Sequence, residues 1–484
     1  MHDFAIRNVR ILDGTGAAAF EGDLGIDGRH IADVGSVGPA SREFDGAGKV
    51  LAPGFVDTHT HDDAALLHYP NMWFKTNQGV TTVVLGNCGK SAVPCQTGDG
   101  TSKAMYLEPT WDDLAGYRAA LETKPPAVNA VALMGHNTVR EAVVGMEERP
   151  ATPDELARMR EIVRRGMEDG ACGFSTGLIY APGKWAPFEE LVALAAEAAP
   201  FGGVYASHIR NEREKLLEAV AEAIAIGDEA GVGTHVSHHK AGQQEAPGMV
   251  ATSLREIDAA IDAGKDVSLD VYPYTAGSGL LAQYFRDSMD LEYARLIGLA
   301  RCPPFPEYEG RMLVDIAQTE DLGLDGLIRK ILAAPLGDRT VCLTFVMHED
   351  DVEENLRHPR VMIGSDGIPQ LDGKPHPRLV GTFPRVLGRY VRERGVAPLE
   401  QVVRRMTSVP ADRFGLVGRG RIALGHFADL VVFDPELIED VATFEDPLQP
   451  CRGVQLVLVN GEPVWEEEVA TSARPGRLLH YGRG

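Results

Sequence analysis

The sequence predicts an α/β protein: a (β/α)8 TIM-like barrel over residues 54–410, with a small β-sandwich domain built from residues 1–53 and 411–484. Three observations predict it. Eight short apolar runs, each bounded by Gly or polar residues, recur through the middle of the chain, as buried parallel strands require. Helical periodicity fills most of the intervals between them. Strand patterns broken by turns occupy only the two ends.

The first of these ends reads FAIRNVRIL, GDLGIDGRHIADVG and REFDGAGKVLAPG. The style resumes in HFADLVVFD and VQLVLVNGEPVWE; DG in the first end and NG in the second mark hairpins. One sheet or sandwich made from both ends is more economical than two separate β modules.

The barrel runs are GFVDTH (54–59), VTTVVLG (80–86), NAVALMG (129–135), ACGFSTG (171–177), GVYASH (203–208), GTHVSHH (233–239), DVSLDVY (266–272) and VMIGSD (361–366). After Thr152, Pro153 at the first helical position and Glu155 two residues later form a capping-box pattern. Leu156, Met159, Ile162, Val163 and Met167 follow at helical spacing. Leu216, Leu217, Val220 and Ile224 repeat that spacing before Gly227. The interval at about 275–360 is too long for one helix and predicts an insertion; its Pro-rich RCPPFPEYEG suits a lid or substrate loop.

Composition limits the partners. A formal net charge of −23 argues against nucleic acid, because phosphate binding needs a basic face. Six scattered cysteines without a CxxC pair suit a reducing compartment. No stretch approaches the ~18 apolar residues of a membrane span, and the opening MHDFAIRNVRILDG lacks a signal-peptide h-region. The expectation is a cytoplasmic protein with no membrane partner. Oligomeric state is not legible in the sequence.

In barrels of this kind, chemistry lies at the C-terminal ends of the strands. Strand one ends with His59 and His61, which share a face because i and i+2 do so in a strand. Strand two leads to Cys88, strand three to His136, strand five to His208, strand six to His238 and His239, and strand eight to Asp366. The chain has only 15 histidines, yet four strand ends carry at least one. Thiolate, imidazole and carboxylate gathered at one mouth are a ligand set suited to Zn²⁺.

Together FVDTHTH, TTVVLGNCG, GVYASH, VSHHK, DVYPY and IGSDG resemble the amidohydrolase superfamily, and within it the N-acyl-D-amino-acid deacylases (D-aminoacylases). The similarity runs to the closing GHFADLVVFDP, and PHPRLVGTFPRVLGRY adds to it. Many binuclear amidohydrolases bridge two metals with a carboxylated lysine at the end of strand four; here that strand ends in Ser175 and Thr176. The resemblance implies that Cys88 takes over ligation with His208, His238 and Asp366, holding one tight zinc. It also implies a second, weaker position at His59 and His61.

The implied reaction is hydrolysis of an N-acyl amide on a D-amino acid, with Asp366 moving a proton from water to the leaving nitrogen. His136 either donates to the developing oxyanion or supports a ligand from behind. A substrate α-carboxylate needs a cation. Lys240, two residues past His238, should share its face. By resemblance Tyr272 joins Lys240, while Tyr180, Ser278 and Met347 line the pocket. Side-chain preference stays open: Arg286 would meet a carboxylate, whereas Leu280, Leu281, Tyr284 and Phe285 would form an apolar pocket. Arg378 is a further cation near strand eight. Two alternatives are an amidohydrolase of cyclic amides or dipeptides, and a non-catalytic scaffold.

Overall fold

A computed structural model describes residues 1–94, 111–242, 248–285 and 289–483. All eight apolar runs form strands of one parallel sheet: Phe55–Asp57, Val80–Leu85, Asn129–Gly135, Gly173–Gly177, Val204–His208, Gly233–Val236, Val267–Val271 and Val361–Ile363. They neighbour one another in chain order, and the last returns to the first. The Asp366 amide donates to the His59 carbonyl at 2.8 Å, and a parallel bridge pairs Thr60 with Gly367. The sheet is thus a nearly closed barrel.

Period-two alternation decides what the barrel holds. Val204 and Ala206 join an interior layer with Val56, Val84, Leu133 and Phe414. His208, two residues beyond Ala206, therefore also points inward, above that layer. On strand seven Leu269 and Val271 face the helices, leaving Asp270 for the interior.

The outer helices follow the sequence. Pro153–Glu168 starts with the expected box: Thr152 Oγ1 accepts from the Glu155 amide at 3.3 Å, and Glu155 Oε2 accepts from the Thr152 amide at 2.8 Å. Met159, Val163 and Met167 are buried. The helix Leu216–Ala230 runs through Gly227 and stops at Gly231, whose φ of 70° is left-handed. A side chain at Gly227 would meet Thr234 Oγ1 at 2.0 Å, so glycine there serves packing rather than termination.

Both chain ends meet in a nine-stranded sheet, in which Val50–Pro53 pairs antiparallel with Leu430–Phe433. Its two ends share a core of Phe4, Ile6, Leu24, Leu430 and Leu456. The final residues leave this sheet for the barrel, where Leu479 N donates to Ala130 O.

Between strands seven and eight lies a three-stranded antiparallel sheet of Gly277–Leu280, Ile297–Arg301 and Val341–Thr344. Helices Leu313–Thr319 and Leu324–Ala333 cover it around a separate core that includes Phe285, Ile297 and Ile328. The next helix, Glu349–Arg357, instead packs Val352 and Leu356 into the barrel's outer core. No described helix is long and apolar enough to cross a membrane.

Candidate metal centre

Three of the strand-end residues owe their aim to an uncommon backbone. Cys88, His238 and Asp366 have φ of 53°, 38° and 49°, a left-handed conformation rare outside glycine. For Cys88, Gly86 makes the turn possible: its φ is 73°, and a side chain there would strike Leu133 O at 2.1 Å. Ser175, on strand four, then fastens the loop, accepting from Gly89 N at 3.1 Å and donating to Gly86 O.

Three imidazoles converge on the Cys88 sulfur. His59 Nε2 lies 3.3 Å from Sγ, His238 Nε2 3.4 Å and His208 Nδ1 3.6 Å. A thiol has one proton and can satisfy only one of these nitrogens. A cation among them satisfies all. Tetrahedral zinc at its usual bond lengths holds sulfur and nitrogen about 3.6 Å apart, close to the separations found. The donors form two groups, Cys88–His208–His238 and His59–His61–Cys88, with Cys88 common to both.

Electrostatics agree with that fit. Burial, and then the Asp366 carboxylate, push the Cys88 thiol well up, so ionising it requires a cation close by. Burial pushes His59, His61 and His208 down, keeping these rings neutral, the form that binds metals.

Asp366 sits on the His59–His61 side: its Oδ1 is 3.2 Å from His61 Nε2 and 3.6 Å from His59 Nε2. Its Oδ2 is 2.9 Å from Nη1 of Arg378, a wholly buried guanidinium. Burial opposes ionisation, but Arg378 and then His61 outweigh it and hold this carboxyl well below the ordinary range. Beneath it, buried Lys75 reaches Asp57 at 2.8 Å and Ser365 Oγ at 2.9 Å, tying strand one to strand eight.

The centre opens into a cavity between the barrel mouth and the insertion. Lys240, Tyr272, Tyr180, Ser278 and Met347 all line it, with His208 and Asp366. Tyr180 OH is 3.4 Å from His208 Nδ1. Tyr272 lies between two cations, Lys240 Nζ 5.6 Å and Arg378 Cζ 4.4 Å from its ring centre. His136 is placed elsewhere. Its Nε2 lies 3.0 Å from Glu190, which also binds Arg140. Arg286 lies outside the described residues.

Residues 42–306 and 327–465 match the amidohydrolase family model. The chain is 42% identical to a D-aminoacylase of Alcaligenes xylosoxydans xylosoxydans, over 99% of this chain and 97% of that protein. An N-acyl-D-glutamate deacylase of the same organism is 41% identical over 99% and 96%. These matches decide the family.

The chain is a D-aminoacylase-type member of the amidohydrolase family.

The family likeness extends to a solved structure. An N-acyl-D-glutamate deacylase from Bordetella bronchiseptica, complexed with zinc and a phosphonate mimic of the tetrahedral intermediate, superposes with a TM-score of 0.92. It is 40% identical and covers 99% of both chains.

Some of the residues that build the centre were given no role by the sequence reading. Asp270 accepts from the His238 amide and from Thr58 Oγ1 at 2.7 Å, and lies 3.0 Å from His235 Nε2. Burial disfavours its charge, but His235 and the Thr58 hydroxyl outweigh it and hold this carboxyl low. Its signal was a carboxylate inside an apolar run, two residues before Tyr272. Glu212, four residues after His208, carried no such signal.

Proposed function

We propose that the protein hydrolyses N-acyl-D-amino acids to a carboxylate and a free D-amino acid. One observation carries the reading: the two sulfur-sharing donor groups sit at the mouth of a cavity that also presents Lys240 and Tyr272, with buried Arg378 behind the Tyr272 ring. A hydrolytic centre and a carboxylate-binding corner thus face one space, as a small acidic amide requires.

Cys88, His208 and His238, the fully buried group, would hold the tight zinc, and His59 with His61 the weaker ion, with Asp366 beside them. When bound, the metal supplies Lewis acidity that acidifies water and polarises the scissile carbonyl. Asp366 takes a proton from that water at Oδ1 and delivers it to the departing nitrogen, because an amine leaves poorly unprotonated. Arg378 keeps the other oxygen occupied and so directs Oδ1 toward the imidazoles. Lys240 and the Tyr272 hydroxyl hold the α-carboxylate, and Met347, 3.8 Å from that hydroxyl through its sulfur, borders it.

The side chain of the amino acid would lie against Tyr284, Tyr293 and Val346. Among the described residues, the arginines that line this part of the cavity are both paired, Arg213 with Asp290 at 3.3 Å and Arg210 with Glu222 at 2.9 Å. This supports an apolar side chain.

Metal removal tests the reading. Dialysis against a chelator should abolish release of D-amino acid, and one equivalent of zinc per chain should restore it. Undiminished turnover in the metal-free protein would refute the metal-dependent mechanism, and a preparation that never binds zinc would point to a scaffold.

A further inference from the structure

We propose that Glu212 is the positioning residue of this centre, one carboxylate that orients both His208 and His238 and thereby sets how tightly their donor group holds zinc. The inference rests on the reading of Cys88–His208–His238 as a metal site.

Each histidine offers two ring nitrogens, and Glu212 faces the outer one on both, closely on His238 and at ion-pair range without a hydrogen bond on His208. Its Oε1 lies 3.1 Å from His238 Nδ1, and its Oε2 3.6 Å from His208 Nε2. The opposite nitrogens, His238 Nε2 and His208 Nδ1, are those facing Cys88. A carboxylate against the outer nitrogen favours the proton there and leaves the inner lone pair bare for a metal.

His238 shows why this choice must be enforced. Lys240 Nζ lies 2.9 Å from the same Nδ1. An ammonium has only donors, so by itself it would favour the tautomer with a bare Nδ1 and a proton on Nε2, aimed at the cysteine. Glu212 Oε1 also holds Lys240 Nζ at 2.6 Å. The ammonium also donates to His238 O at 3.1 Å, so the carboxylate and that carbonyl engage two of its three N–H groups while Oε1 competes with the third for Nδ1. The Glu212 side chain is only 15% exposed, so water competes little for either contact.

The test is a double-mutant cycle on zinc affinity, read by competition with a chromophoric chelator and without substrate. Glu212→Gln should bind zinc about 10- to 100-fold more weakly than wild type, with the far-ultraviolet circular dichroism of the metal-free protein unchanged. Glu212→Gln/Lys240→Met should regain part of that loss, because no ammonium then competes for Nδ1. Lys240→Met alone should bind zinc as wild type does. If Glu212→Gln does not fold, comparison of the double variant with Lys240→Met still isolates the carboxylate, and the double variant should be the weaker. Equal affinities in that comparison, or a Glu212→Gln value within about twofold of wild type, would overturn the proposal. The Co²⁺-loaded proteins add a second readout: the visible absorption of Glu212→Gln should change in band position, whereas an unchanged spectrum would count against reorientation. A protein that passes these tests yet cleaves no N-acyl-D-amino acid would refute the proposed activity and leave the role of Glu212 intact.

Discussion

Replacing Asp366 with Asn should produce two separable losses. The first is catalytic. Removing a positioned general base and acid lowers turnover by about 10²- to 10⁴-fold. The second is in stability, and it follows from Arg378. That guanidinium is fully buried, and Asp366 at 2.9 Å is its only carboxylate contact among the described residues. Leaving a buried charge without its partner costs about 3–5 kcal/mol. The Tyr272 ring, 4.4 Å from Arg378 Cζ, offsets part of this, by up to about 2 kcal/mol for a desolvated pair, so the net loss should lie near the lower bound. Urea unfolding of the zinc-free proteins measures it. The Asp366 carboxyl is held below its ordinary value in the folded state. Its contribution is therefore complete above the unfolded pKa of about 4 and disappears as pH falls through the lower folded value. The wild type should lose stability in acid more steeply than Asp366→Asn. Asp366→Asn/Arg378→Met should recover stability but not turnover. A zinc-free Asp366→Asn protein as stable as wild type would refute the pairing.

Cys88→Ala removes the donor common to both groups and should leave the protein without stoichiometric zinc or turnover after desalting, as metal analysis would show; retained metal would contradict the shared sulfur. Ser175→Ala strips the Cys88 loop of two hydrogen bonds, at a cost of about 1–3 kcal/mol, and should weaken zinc binding measured by chelator competition while sparing the fold. Lys240→Met should raise KM about ten- to a hundredfold, the worth of one charge-assisted hydrogen bond, with a smaller change in kcat; steady-state kinetics decides, and an unchanged KM would move the α-carboxylate elsewhere.

Legibility in the sequence followed locality. The barrel strands were readable because both faces of each are buried, which makes them short apolar runs between glycines. The donors were readable because the period-two rule and the strand-end rule need no knowledge of distant contacts. What escaped depended on bringing remote segments together. Asp366 was grouped with Cys88, His208 and His238, but closure of the barrel sets it beside His59 and His61. His136 ends a strand like the others, yet Glu190 and Arg140 hold it in a buried network of its own. Glu212 lies in a loop after strand five, where nothing in RNERE distinguishes one carboxylate from the next. The interval after strand seven was legible as an insertion, although its last stretch, Glu349–Arg357, packs with the barrel helices because Val352 and Leu356 face inward.

The most direct measurement is release of free amine from paired D- and L-enantiomers of N-acetyl amino acids by the zinc-loaded protein. Turnover confined to the D series, fastest with apolar side chains such as leucine and phenylalanine, is the predicted result. Turnover of L substrates, or none in either series with zinc bound, would contradict the deacylase reading and favour a cyclic amide or dipeptide substrate.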